Sequence, residues 1–84
     1  MKKDLRKMLK DGMFIQDYTG SSYLIEDMGT KYLCDIDLFI SDIYSDFDED
    51  LKDTRLGDEL LDVKCIFDDE GCLIWERNKE KKEL

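Results

Sequence analysis

The chain has no histidine, no proline and no alanine among its 84 residues. Without histidine it lacks the commonest general base near neutral pH and the commonest metal ligand. Alanine, the best helix former, is missing while Ile, Tyr, Phe and Thr recur, which tilts the expectation toward strands. Long apolar runs are absent too: the longest spans the four residues Cys72 to Trp75. That excludes a transmembrane helix, and no apolar stretch of signal-peptide length follows the basic N-terminus, so a cytoplasmic location is expected. The three cysteines, Cys34, Cys65 and Cys72, are an odd number without CxxC spacing. They read as small core residues in a reducing compartment, since a zinc site needs a fourth ligand and paired spacing. No cofactor or metal is expected.

What the chain does have is acid, and it is concentrated. From Asp35 to Asp62 there are eleven acids and two bases, which gives −11 + 2 = −9. Residues 1–34 carry five acids and six bases (+1), and residues 63–84 carry six acids and five bases (−1). The charge is therefore a local field. Such a field repels phosphate and attracts basic surfaces.

Eighty-four residues make a single domain, 1–84, with a modest core. Five glycines punctuate the patterned segments. Residues 1–11 read as a basic lead with one or two helical turns. Met13–Asp17, Ser22–Asp27 and a segment starting at Thr30 read as a β-meander, with Ile36, Leu38 and Ile40 prolonging its third strand. Ser41 is the expected N-cap of a helix of two or three turns, because Ile43, Phe47 and Leu51 follow at four-residue spacing. Leu60–Phe67 and Cys72–Arg77 read as a closing hairpin around Asp68-Asp69-Glu70-Gly71, and 78–84 as a charged tail. The fold class expected is mainly β with one short helix. Its architecture would be a small five-stranded SH3-like barrel or a strongly curled antiparallel sheet.

The segment Leu9-Lys10-Asp11-Gly12-Met13-Phe14-Ile15 resembles the LKxGM opening of small uncharacterised proteins from phages and prophages of Gram-positive bacteria. The resemblance continues through Tyr23-Leu24-Ile25, Asp46-Phe47-Asp48-Glu49-Asp50-Leu51 and Leu61 to Phe67. It ends in Leu73-Ile74-Trp75-Glu76-Arg77, the group's LIWER motif. This resemblance implies an SH3-like barrel and a phage or prophage setting; it carries no activity.

Catalytic constellations are sparse. Asp46, Asp48 and Asp50 match positions 1, 3 and 5 of a calcium loop, but Leu51 stands where the sharp turn needs glycine and Gly57 where a bidentate glutamate is needed. Asp35, Asp37 and Asp42 have no histidine or nearby base to form a hydrolytic centre with. The chain is therefore read as no enzyme. The basic residues Lys2, Lys3, Arg6, Lys7 and Lys10 are expected to complement the chain's own acids, so no direct nucleic-acid contact is expected. Trp75 reads as core packing, while Phe39 and Tyr44 fall off the helical stripe as possible anchors.

A run of acids on a small protein is most simply a solvated face. The functional reading is a non-enzymatic binding protein whose segment 35–62 engages a basic surface of a host nucleic-acid-handling protein, as an inhibitor of the anti-CRISPR or anti-restriction type. The residues expected to carry it are Asp42, Tyr44, Asp46, Asp48, Glu49, Asp50 and Asp53. Replacing Asp46, Asp48 and Asp50 by Asn is expected to slow association and leave folding intact. A nucleotide-sequestering counter-defence protein, which would need an oligomer, and a phage accessory structural or regulatory module are the alternatives; the chain is expected to be a monomer or small homo-oligomer.

Overall fold

The computed structural model describes residues 4–34 and 39–77. A 3-10 turn, Leu5–Met8, opens it, capped by the Asp4 side chain on the Arg6 amide. Then come β1 (Phe14–Asp17), β2 (Ser22–Glu26), β3 (Lys31–Cys34) and β4 (Phe39–Asp42), followed by α1 (Ile43–Asp46). A second 3-10 turn, Glu59–Leu61, precedes β5 (Val63–Phe67) and β6 (Leu73–Glu76). The described strands form one antiparallel sheet in the order β4-β3-β2-β1-β5-β6.

This is the curled-sheet form of the expected mainly-β class, with two differences. The described residues form six strands, because the long extended segment after Thr30 contributes both β3 and β4; Asp35, Ile36, Asp37 and Leu38 lie outside the described residues. And β4 and β6 are opposite edges of the sheet, so it is not closed into a barrel. Bulges at Gln16/Asp17, Tyr32/Leu33 and Ile66/Phe67 bend it, as an extra residue on one strand does.

Cross-strand partners project from the same side of a sheet. Ile15 pairs with Tyr23 and Ile66, and Ile25 pairs with Tyr32. Ile15, Ile25, Tyr32 and Ile66 are all buried, which defines the inner face. The connection from β4 to β5, residues 43–62, lies over that face and buries Ile43, Phe47 and Leu51 in the same core. Each such side chain contributes about 1.5–3 kcal/mol relative to exposure. Trp75 packs against this core from β6, as the sequence suggested.

The stripe of Ile43, Phe47 and Leu51 is thus buried as expected, but not as a helix of two or three turns. α1 is one turn long, and its N-cap is Asp42 rather than Ser41. Phe47 is extended and bridges Asp53, and Leu51 has φ +60. The reason lies in Asp48. Its Oδ1 accepts from the amides of Asp50 and Lys52, a local alternative that competes with helix propagation.

The β2–β3 turn carries positive φ at Asp27, Met28 and Gly29 in succession. The Gly29 amide donates to Asp11 Oδ1 at 3.0 Å, and a Cβ at Gly29 would run into the backbone carbonyl of Leu9. The turn is therefore seated against the chain that leads into β1, and only glycine fits there.

Candidate functional site

The acidic segment separates into two populations. Asp46, Asp53 and Asp62 are about 6% exposed, joined by Asp17 of β1 at 5%. Asp46 accepts from the Tyr32 hydroxyl at 2.5 Å and lies 4.0 Å from Arg55 Nη1. Asp53 binds Arg55 Nε at 2.7 Å and also accepts from the amides of Arg55, Leu56 and Asp58. Asp62 accepts from the Asp53 amide at 2.8 Å. Asp17 accepts from the Tyr23 hydroxyl and from the amides of Thr19 and Ser21. Arg55 is the cation that makes the cluster tenable: it serves two carboxylates and lies over the Phe47 ring at 5.7 Å.

The titrations follow from these contacts. Burial pushes the Asp53 carboxyl up, but the Arg55 guanidinium and three backbone amides outweigh it and hold it below the ordinary 3.8. Burial first, then the bond to Asp46, pushes the Tyr32 hydroxyl well above the ordinary 10.0. A small indentation of about 10 Å³, room for no more than a water, opens beside Asp17, Tyr23, Tyr32, Phe47 and Arg55. Its polar groups are already engaged with one another, which is the arrangement of a structural network.

Two of the expected contact residues, Asp46 and Asp53, are therefore removed from the accessible surface. Asp46, Asp48 and Asp50 also do not converge as calcium-loop ligands would. Asp46 turns inward to Tyr32, and Asp48 caps its own turn. Because Asp46 accepts from the buried Tyr32 hydroxyl and Asp48 from two amides, the Asn replacements bear on structural hydrogen bonds as well as on surface charge.

Asp42, Tyr44, Asp48, Glu49 and Asp50 remain at the surface, together with Asp58 and Glu59. Tyr44 is 40% exposed. One face of its ring carries the Arg6 guanidinium at 4.8 Å, and the Lys7 ammonium stands 6.0 Å from its centroid. Arg6 also donates to the Phe47 carbonyl, and the Leu5 amide to the Glu49 carbonyl. Arg6 thus meets the acidic segment through the Tyr44 ring and the Phe47 carbonyl, while its carboxylate partner is Asp4 of the lead itself; Lys2 and Lys3 lie outside the described residues, as does the Phe39 side chain.

Sequence reasoning missed Tyr32, Arg55, Asp17, Asp62 and Arg77 as members of this architecture. Arg77 stacks on Trp75 at 5.2 Å and donates to the carbonyls of Val63, Asp50 and Leu51, which pins the strained Leu51 turn to the end of the sheet. The signal for Arg55 was present: it is the only arginine within the acid-rich stretch. The cysteines divide differently from expectation. Cys65 is buried, with its thiol pushed up by burial, Cys34 is half-buried, and Cys72 is exposed.

Among the described residues, no three acid or cysteine side chains are grouped to hold a metal ion, and no helix is long and apolar enough to cross a membrane. Comparison of the chain with protein-family models, with curated proteins and with solved structures gives no match.

Proposed function

We propose that this chain is a non-enzymatic binding protein whose surface acids engage a basic surface of a nucleic-acid-handling protein, where phosphates would otherwise sit. One observation carries the reading. After the fold has turned Asp46, Asp53 and Asp62 inward, six carboxylates between Asp42 and Glu59 stay out of the core: Asp58 and Glu59 are exposed, and Asp42, Asp48, Glu49 and Asp50 are half-buried. Their backbone is held by the Asp48 turn, by Arg77 and by the 3-10 turn at Glu59–Leu61. A fixed array of carboxylates suits an Arg/Lys groove and gives fast, salt-sensitive association. Tyr44, held by Arg6, supplies an aromatic contact inside that field. Given the phage or prophage setting that the motif resemblance implies, the partner we propose is a restriction or CRISPR effector of a bacterial host.

The test is affinity capture from lysate of a Gram-positive host at low and at high salt. Recovery of a basic nucleic-acid-binding protein at low salt alone supports the proposal. Recovery that does not depend on salt, or none at either salt, removes it.

A further inference from the structure

The outer face of the sheet carries an uninterrupted apolar row. Leu33 pairs with Leu24, Leu24 with Phe14, Phe14 with Phe67, and Phe67 with Leu73. These five side chains stand on five adjacent strands and project away from the core defined by Ile15, Ile25, Tyr32 and Ile66. At the usual strand spacing the row is about 19 Å long. Phe14 is 38% and Leu73 50% exposed, and Leu24, Leu33 and Phe67 are half-buried. A contiguous patch of this kind, on the order of a few hundred Å², marks an interaction site more often than scattered single residues do.

The two flanks of the row differ. On one side the next register contains Glu26, Lys31 and Asp42. Asp69 belongs to the same side, since a Cβ at Gly12 would approach its Cβ to 3.3 Å. That flank holds three acids and one lysine, and the lysine lies 4.0 Å from Asp42. On the other side the register reads Ser22, Gln16, Cys65 and Glu76, nearly neutral. A second copy of this chain also carries −9, and two such bodies repel one another. The row by itself also falls short of the roughly 800 Å² per partner of a standard interface.

We propose that this row is a docking surface for a different protein, one presenting an apolar ridge bordered on one side by lysine or arginine. The apolar row supplies the contact and the Glu26–Asp69 flank sets the orientation. The site lies on the face opposite the 43–62 segment, shares only Asp42 with the acids proposed to act there, and does not depend on the function proposed for that segment.

A labelled amphipathic helical peptide of about 16 residues, about 24 Å long, serves as probe, with leucines at three- and four-residue spacing and lysines along one side. Its counterpart has glutamates in place of the lysines. Fluorescence anisotropy at about 0.15 M salt is expected to show the lysine peptide binding at least about tenfold more tightly than the glutamate peptide, a difference of about 1.4 kcal/mol. Leu73→Ser is expected to weaken it about tenfold. Glu26→Lys with Asp69→Lys, both at exposed positions, should reverse the preference between peptides and decides the matter even if the Leu73 variant folds poorly. Glu49→Gln with Asp50→Asn should leave binding unchanged. The proposal is overturned by absent binding, by a preference that the double-lysine variant does not reverse, or by a loss confined to the Glu49/Asp50 variant. It is equally overturned by light scattering that shows a wild-type dimer separated by Leu73→Ser, which would make a second copy the occupant.

Discussion

Asp46 and Asp50 lie one helical turn apart in sequence and do opposite work. Asp46 is closed inside the protein against Tyr32 and Arg55, whereas Asp50 stays at the surface and lends its carbonyl to Arg77. The same contrast separates Asp53 and Asp62 from Asp58 and Glu59. Acidic composition therefore does not translate into acidic surface one residue for one. The carboxylates that are buried are ones that hydroxyls, amides and one guanidinium satisfy.

The sharpest way to break this contrast is to remove an inward acid. Asp46→Ala leaves the buried Tyr32 hydroxyl without its acceptor, and a loss of about 3 kcal/mol is expected in chemical denaturation. Gly29→Ala should approach that cost, because the new methyl meets the Leu9 carbonyl at a positive φ; Gly20→Ala, with open space around it, should cost about 1 kcal/mol. Asp53→Asn keeps the shape but weakens the ion pair with Arg55, and about 1–2 kcal/mol is expected.

The pH profile sharpens the contrast further. Asp53 is held below 3.8 in the folded state, so the stability it contributes is present above that value and is lost as pH falls through its lower folded value. The acid limb of a pH–stability curve should flatten in Asp53→Asn. Tyr32 has the opposite sign. Its folded pKa is raised, so its contribution is present below pH 10.0 and is lost as pH climbs toward the folded value. Tyrosinate absorbance should show Tyr32 ionising only together with alkaline unfolding.

The smallest stability effect is expected from the outward acids. Glu49→Gln, Asp50→Asn and Glu59→Gln together should shift stability by less than about 0.5 kcal/mol. Association with a basic partner should nonetheless slow, and its dependence on salt should weaken. A large stability loss in this variant would erase the distinction between the two populations.

Much of the fold was legible. The alternation in Phe14–Asp17, Ser22–Glu26 and Lys31–Cys34, with glycine at the turns, marked the meander, and the closing hairpin was equally plain. The four-residue spacing of Ile43, Phe47 and Leu51 correctly marked three core residues and wrongly marked a helix. An apolar period reports which side chains are buried, and a tight turn at Asp48 satisfies the same period with different backbone hydrogen bonds. The candidate site was legible as a charge density only; which acids face outward was not.

Sequence alone determined the strand-rich class, the segment that holds the excess charge and the apolar residues available for a core. These depend on composition and on spacing along the chain. Only the tertiary structure decided that the sheet stays open with the 43–62 connection laid over its inner face. Only it decided that Arg55 and Tyr32 turn acids inward, and that Leu33, Leu24, Phe14, Phe67 and Leu73 align into one outer row. Those outcomes depend on register and on contacts between residues far apart in the chain, as between Phe14 of β1 and Phe67 of β5, and no local pattern encodes them.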